Sequence, residues 1–183
     1  MKDTSYHLTI ALVVCAVVGV EGLQAQDPKP TEYQVKAVYL YNFGRFVTWP
    51  VRATAGDEPF GVCVLGQDPF GPILDAAVAG ETIDRAHVVV RRLAKPQEAA
   101  SCRVLFISSS QNDDLKEILI ALDKQSVLTV SDMPQFVRRG GMIQFLLDGN
   151  RVRFEVNLAA AGRAGLNLSS EVLRLATNVR RTP

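Results

Sequence analysis

The hydrophobic and polar positions of the chain change period several times, and each change marks an element. Thr31-Glu32-Tyr33-Gln34 has the spacing of a capping box, which predicts a helix beginning at Thr31. Val35, Tyr39, Phe43 and Val47 then recur every four residues, with Val38, Leu40, Tyr41 and Phe46 beside them, until Pro50 stops the helix after Trp49. That stripe is wider than one core contact requires. Part of helix 31–49 is therefore expected to meet a second surface, either another helix or another chain. Phe60 to Leu65 is a short continuous apolar run, as for a strand covered on both faces. Asp68-Pro69 reads as an N-cap followed by Pro at the first helical position, opening a helix through Val78. Val88–Val90, Arg103–Ser108 and Ser126–Ser131 read as further strands, with a helix from Asn112 to Leu122 between the last two.

The end of the chain changes character. Met142–Leu147 and Arg151–Val156 flank Asp148-Gly149-Asn150, a strong hairpin signal. In the second arm Val152, Phe154 and Val156 alternate with Arg151, Arg153 and Glu155, so one face is apolar and the other charged. An Ala/Gly-rich helix follows from Leu158. A last helix is expected near Ser169, with Val172, Leu175, Ala176 and Val179 on one face and Arg180 and Arg181 at its C-terminus. Together these elements predict an α/β fold: a mainly parallel sheet from βαβ units flanked by helices, closed by an antiparallel hairpin and two terminal helices.

Ahead of all this, Leu8 to Val20 is a 13-residue apolar run behind Lys2, too short to span a bilayer comfortably and suited to a signal-peptide core. Residues 1–25 read as a cleaved export signal, and residues 26–183 as a single domain. Leu12-Val13-Val14-Cys15 lacks the small residues of a lipobox, so Cys15 reads as apolar filler. Export to the periplasm leaves Cys63 and Cys102, an even pair in an oxidising compartment. Cys63 lies inside one expected strand and Cys102 just before another, so a disulfide ranks ahead of two buried thiols.

Composition narrows the function. Of 183 residues, 48% are hydrophobic and 21% charged, enough for a real core, and the net charge of +1 carries no basic run suited to nucleic acid or an anionic membrane. With only His7, His87 and three cysteines, a Cys/His zinc site is out of reach. Ser108-Ser109-Ser110 ends a strand but lacks a matching base and any G-x-S-x-G elbow; those serines read as helix caps. Gly66 to Gly71 matches neither dinucleotide nor P-loop spacing. Gln67, Asp68, Ser108, Ser109, Ser131 and Asp132 would line the carboxyl edge of the sheet, each better read as turn chemistry than as a site. No enzyme and no cofactor is expected; binding remains.

The chain resembles the YfiR-like family over nearly its whole mature length. The carriers are Tyr33 to Phe43 with Phe46-Val47-Thr48-Trp49-Pro50, Val62-Cys63-Val64-Leu65-Gly66, Asp68 to Gly71, and Cys102 to Ser108. They continue with Leu128 to Asp132, Gly140 to Ile143, Asn150 to Asn157, Ala160, Gly165-Leu166 and Ser169-Ser170. The resemblance implies a periplasmic protein that binds the periplasmic sensor region of an inner-membrane diguanylate cyclase and restrains it, lowering cyclic di-GMP and affecting biofilm behaviour. Other members serve sensor histidine kinases, so a ligand-sensing kinase accessory, with a small-molecule ligand, is the alternative. It also implies a homodimer and redox sensitivity through cysteines. Cys63 and Cys102 fall at the positions of the family's main disulfide; the second pair carried by some members is absent here.

The expected partner or ligand surface is the terminal hairpin. Arg151 and Arg153 place two guanidinium forks side by side, suited to carboxylates, with Glu155 on the same face and Leu146 from the other arm adding an apolar patch. Phe43 and Trp49, from the over-wide helix, complete the candidate set.

Overall fold

A computed structural model describes residues 29–50, 58–123 and 125–182; the expected signal segment 1–25 lies outside them. Helix α1, Glu32–Phe46, begins where the capping box places it. Thr31 Oγ1 accepts from the Gln34 amide at 3.3 Å, and the Thr31 amide donates to Gln34 Oε1 at 2.7 Å. Its end differs from the expected Trp49. Val47 and Thr48 leave the helix as strand β1, Val47–Thr48, because two β-branched residues ahead of a proline favour extended backbone. β1 finds its partner late in the chain, with Val47 opposite Leu168 and Thr48 opposite Asn167.

Strand β2, Phe60–Leu65, is buried along its full length. Helix α2, Pro72–Val78, starts three residues later than expected. Asp68 does not cap it: its carboxylate accepts from the Phe70 amide at 2.7 Å in a local turn, and Gly71, at φ +52°, stands at the N-cap. Strands β3, Thr82–Ile83, and β4, Ala86–Leu93, form a hairpin whose turn residues Asp84 and Arg85 both have positive φ. Strand β5, Val104–Ile107, leads into a 3₁₀ turn capped by Ser108, and only then into helix α3, Leu115–Ala121, shorter than expected.

Strand β6, Leu128–Ser131, precedes the hairpin of β7, Ile143–Asp148, and β8, Arg151–Asn157. Helix α4, Leu158–Arg163, is capped by Asn157, whose Oδ1 accepts from the Ala160 amide at 3.0 Å. Strand β9, Asn167–Leu168, helix α5, Ser170–Leu175, and strand β10, Asn178–Arg180, finish the chain. The expected last helix therefore ends early. Thr177 turns the chain by donating its amide and hydroxyl to the Phe154 carbonyl at 2.8 and 2.7 Å, and Val179 enters the sheet opposite Val156. Leu175 is left outside the core.

The sheet runs β10-β8-β7-β6-β5-β2-β4-β3 and is mainly parallel, with antiparallel pairs only at β7–β8 and β3–β4. One apolar layer packs α1, α2 and α5 on one face, around Phe43, Phe70, Phe106, Phe145 and Phe154. A second layer on the other face gathers Leu65, Leu105, Ile107, Leu115 and Phe136. Cys63 and Cys102 are bonded inside this second layer, with Cα atoms 6.0 Å apart and a sequence separation of 39. Gly61 permits that approach: a Cβ there would lie 2.6 Å from the Ser101 carbonyl oxygen.

Candidate functional site

The hairpin register decides which hairpin side chains share a face. Leu146 stands opposite Arg153, Gln144 opposite Glu155 and Asp148 opposite Arg151. The charged face therefore includes Leu146, as the alternation requires, while Phe154 and Val156 are buried on the other. Arg151 is exposed at the tip; Arg153 and Glu155 are half-buried. Glu155 is separated from the tip, held between Gln144 on β7 and Asn178 on β10. Arg153 Nε is buried with no hydrogen-bond partner among the described residues. A buried donor left unpaired is costly, so a carboxylate brought by another molecule would have something to gain there.

Phe43 and Trp49 do not project with the arginines. Phe43 is 2% exposed and sits among Phe145 and Phe154, with ring centroids 5.9 and 5.1 Å away. Trp49 lies half-buried at the far end of α1, edge-on to Phe60 at 5.4 Å. Both are packing residues. The free apolar surface of α1 lies one helix position aside, at Val38 (51% exposed) and Phe46. Phe46, Tyr39, Val172 and Leu175 wall a groove of about 520 Å³ between α1 and α5, and Phe43 is its floor. A second cavity, about 420 Å³, joins Val35 of α1 to Leu147, Arg151, Val152 and Arg153 at the hairpin tip. Leu147, Val38, Phe46 and Leu175 are thus four large exposed apolar side chains on the α1 side of the molecule. Exposed apolar side chains clustered this way mark interaction surfaces. The over-wide helix stripe signalled half of this surface. Leu147 and Leu175 carried no signal, because their exposure follows from where the hairpin tip and α5 end.

The carboxyl edge of the sheet is occupied by its own side chains. Lys36, 2% exposed, extends from α1 to place Nζ 2.6 Å from Asp132 Oδ2 and 2.5 Å from Glu32 Oε1, above the Tyr33 ring. Burial works to lower the Lys36 pKa, but the hydrogen bonds to Asp132 and Glu32 together hold it above the usual lysine value. Burial and the neighbouring Asp132 carboxylate push the Tyr33 phenol up as well. Farther along, Arg92 donates to Asp68 at 2.9 Å, to both oxygens of Asp75 and to the Gly71 carbonyl, and it holds the Asp75 carboxyl below its ordinary value. Ser131 Oγ donates to the Ile107 carbonyl and accepts from the Met133 amide. Ser110 Oγ accepts from the Gln67 amide. These residues close turns and ion pairs. Among the described residues, no group of three or more His, Cys, Asp or Glu gathers where it could hold a metal, and no helix is long and apolar enough to cross a membrane.

A mainly parallel α/β sheet with a saturated carboxyl edge and an open apolar flank has the outline of a module that works by contact. The chain belongs to the YfiR/HmsC-like family, whose model matches residues 33–177. The family is a regulatory one, and its members are periplasmic. Two solved structures share the fold. One is a conserved domain protein from Vibrio cholerae O1 biovar El Tor, at TM-score 0.58 and 11% identity over 82% of this chain. The other is the ABC domain in complex with L-Trp from Streptococcus pneumoniae, at TM-score 0.50 and 10% identity over 78% of this chain. The chain spans 60% of the length of each.

Proposed function

We propose that the protein is exported through a signal at residues 1–25, folds as one domain from residue 26, and acts in the periplasm without catalysis. There it binds the periplasmic sensor region of an inner-membrane diguanylate cyclase, restrains it and so lowers cyclic di-GMP. The observation that carries this reading is the family match over residues 33–177. The contact surface is the apolar flank of α1 and α5, with Arg151 and Arg153 at its edge to meet carboxylates. A homodimer is the form expected to present it.

Deleting the gene should raise cyclic di-GMP, and restoring the wild-type chain should lower it again. Restoring a Phe46→Glu/Leu175→Glu chain should not. Unchanged cyclic di-GMP on deletion, with altered output of an adjacent sensor kinase, would overturn this reading in favour of a kinase accessory.

A further inference from the structure

One large exposed apolar side chain lies away from the α1 flank: Ile120, on α3. It stands at the opposite end of the sheet from Lys36 and Asp132, where β6 begins. There Lys116, Leu119 and Ile120 from one face of α3, with Asp123 just past its end, line a cavity of about 360 Å³. That volume lies in the range of small-molecule sites. Leu122, Val127, Met142 and Ala160, all buried, supply an apolar floor. Gly140, beside Leu119, takes a φ of +107°, a backbone conformation that side-chain-bearing residues rarely adopt.

The rim is positively charged. Lys116, Arg139 and Arg163 line it against the single carboxylate of Asp123. Arg139 donates to Asn112 Oδ1 at 2.7 Å and to the Asn112 carbonyl at 2.8 Å. Both acceptors are neutral, so the guanidinium is fixed in place with its charge uncancelled. Lys116 and Arg163 enter none of the ion pairs among the described residues. An apolar pocket ringed by uncancelled cations suits a molecule with an apolar body and an anionic head.

We propose that this cavity binds a small organic carboxylate with an apolar body. The carboxylate is held among Lys116, Arg139 and Arg163, and the body lies over Val127 and Met142. An acyl chain and an arylalkyl group share that chemistry.

The test titrates the disulfide-bonded protein with octanoate and with 3-phenylpropanoate, by calorimetry and by methyl resonances of Leu119, Ile120 and Met142. Octanol, octyltrimethylammonium and sulfate serve as controls. At least one carboxylate should bind saturably, at least tenfold tighter than octanol and more weakly as salt rises, and the tighter of the two identifies the acyl or aryl source. Lys116→Glu/Arg163→Glu should lose at least tenfold in affinity, with Lys116→Gln/Arg163→Gln as the milder pair should the reversal impair folding. Arg151→Ala/Arg153→Ala should bind like wild type, which separates this site from the partner surface. Octanol binding as tightly as both carboxylates, sulfate competing on equal terms, or a folded charge variant with unchanged affinity would each overturn the proposal.

Discussion

The carboxyl edge of the sheet and the outer flank of α1 carry opposite kinds of polarity and satisfaction. At the edge, buried Lys36 meets two carboxylates and every serine and aspartate described there closes a turn or an ion pair. On the flank, Val38, Phe46, Leu147 and Leu175 face outward, and on the charged face of the neighbouring hairpin Arg153 keeps an unpaired buried donor. Both regions look functional on residue type alone. Completeness separates them: groups that satisfy one another hold the fold, and groups left over are available to another molecule.

The largest test of the satisfied side is covalent. Replacing Cys63 and Cys102 with Ala should cost about 4 kcal/mol in denaturant unfolding, from the closed loop of 39 positions. Next, Asp132→Ala leaves Lys36 buried with one carboxylate of two, and should cost about 3 kcal/mol. A loss under about 1 kcal/mol would show that the edge is not a structural ion pair and would reopen it as a ligand site.

On the flank the expectation reverses. Phe46→Glu with Leu175→Glu should change stability by no more than about 0.5 kcal/mol per site while abolishing control of cyclic di-GMP. Arg151→Ala/Arg153→Ala should leave melting unchanged and weaken partner binding, most visibly at low salt. Wild-type regulation by that variant would reduce the hairpin face to a solvated edge.

The smallest effect sharpens the comparison by pH. Lys36 and Tyr33 both have folded pKa values above their ordinary ones. Their contribution is therefore fully present below about pH 10 and is lost as pH rises through the folded values. Urea melts between neutral pH and pH 11 should show a steeper alkaline loss in wild type than in Lys36→Met.

Local chemistry made much of this fold legible beforehand. Thr31 and Gln34 announced the start of α1, Asp148-Gly149-Asn150 the hairpin, and the alternation in β8 its buried face. The misses share a cause. β1, β9 and β10 are two- or three-residue strands whose pairing comes from distant segments, and nothing local to Val47 or Val179 specifies a partner. The β3–β4 turn uses Asp84-Arg85 instead of the Asn-Gly or Asp-Gly that marks such turns. Lys36 had no sequence signal at all: a lysine in the first turns of an amphipathic helix reads as solvated until Asp132 is brought beneath it. Phe43 belongs to the over-wide stripe, but the helix turns it into the core and leaves Val38 and Phe46 outside, while Trp49 lies past the end of α1.

The Cys63–Cys102 bond has a mechanical consequence. It encloses the end of β2, all of α2, β3 and β4, and the approach to β5 in one covalent ring. Tension applied between the two ends of the chain bypasses that ring, because the bond carries the load directly from β2 to Cys102. With a sequence separation of 39 and roughly 3.4 Å of reach per step, about 130 Å of contour stays hidden from a pulling force while the bond stands. Reduction would release it in one step.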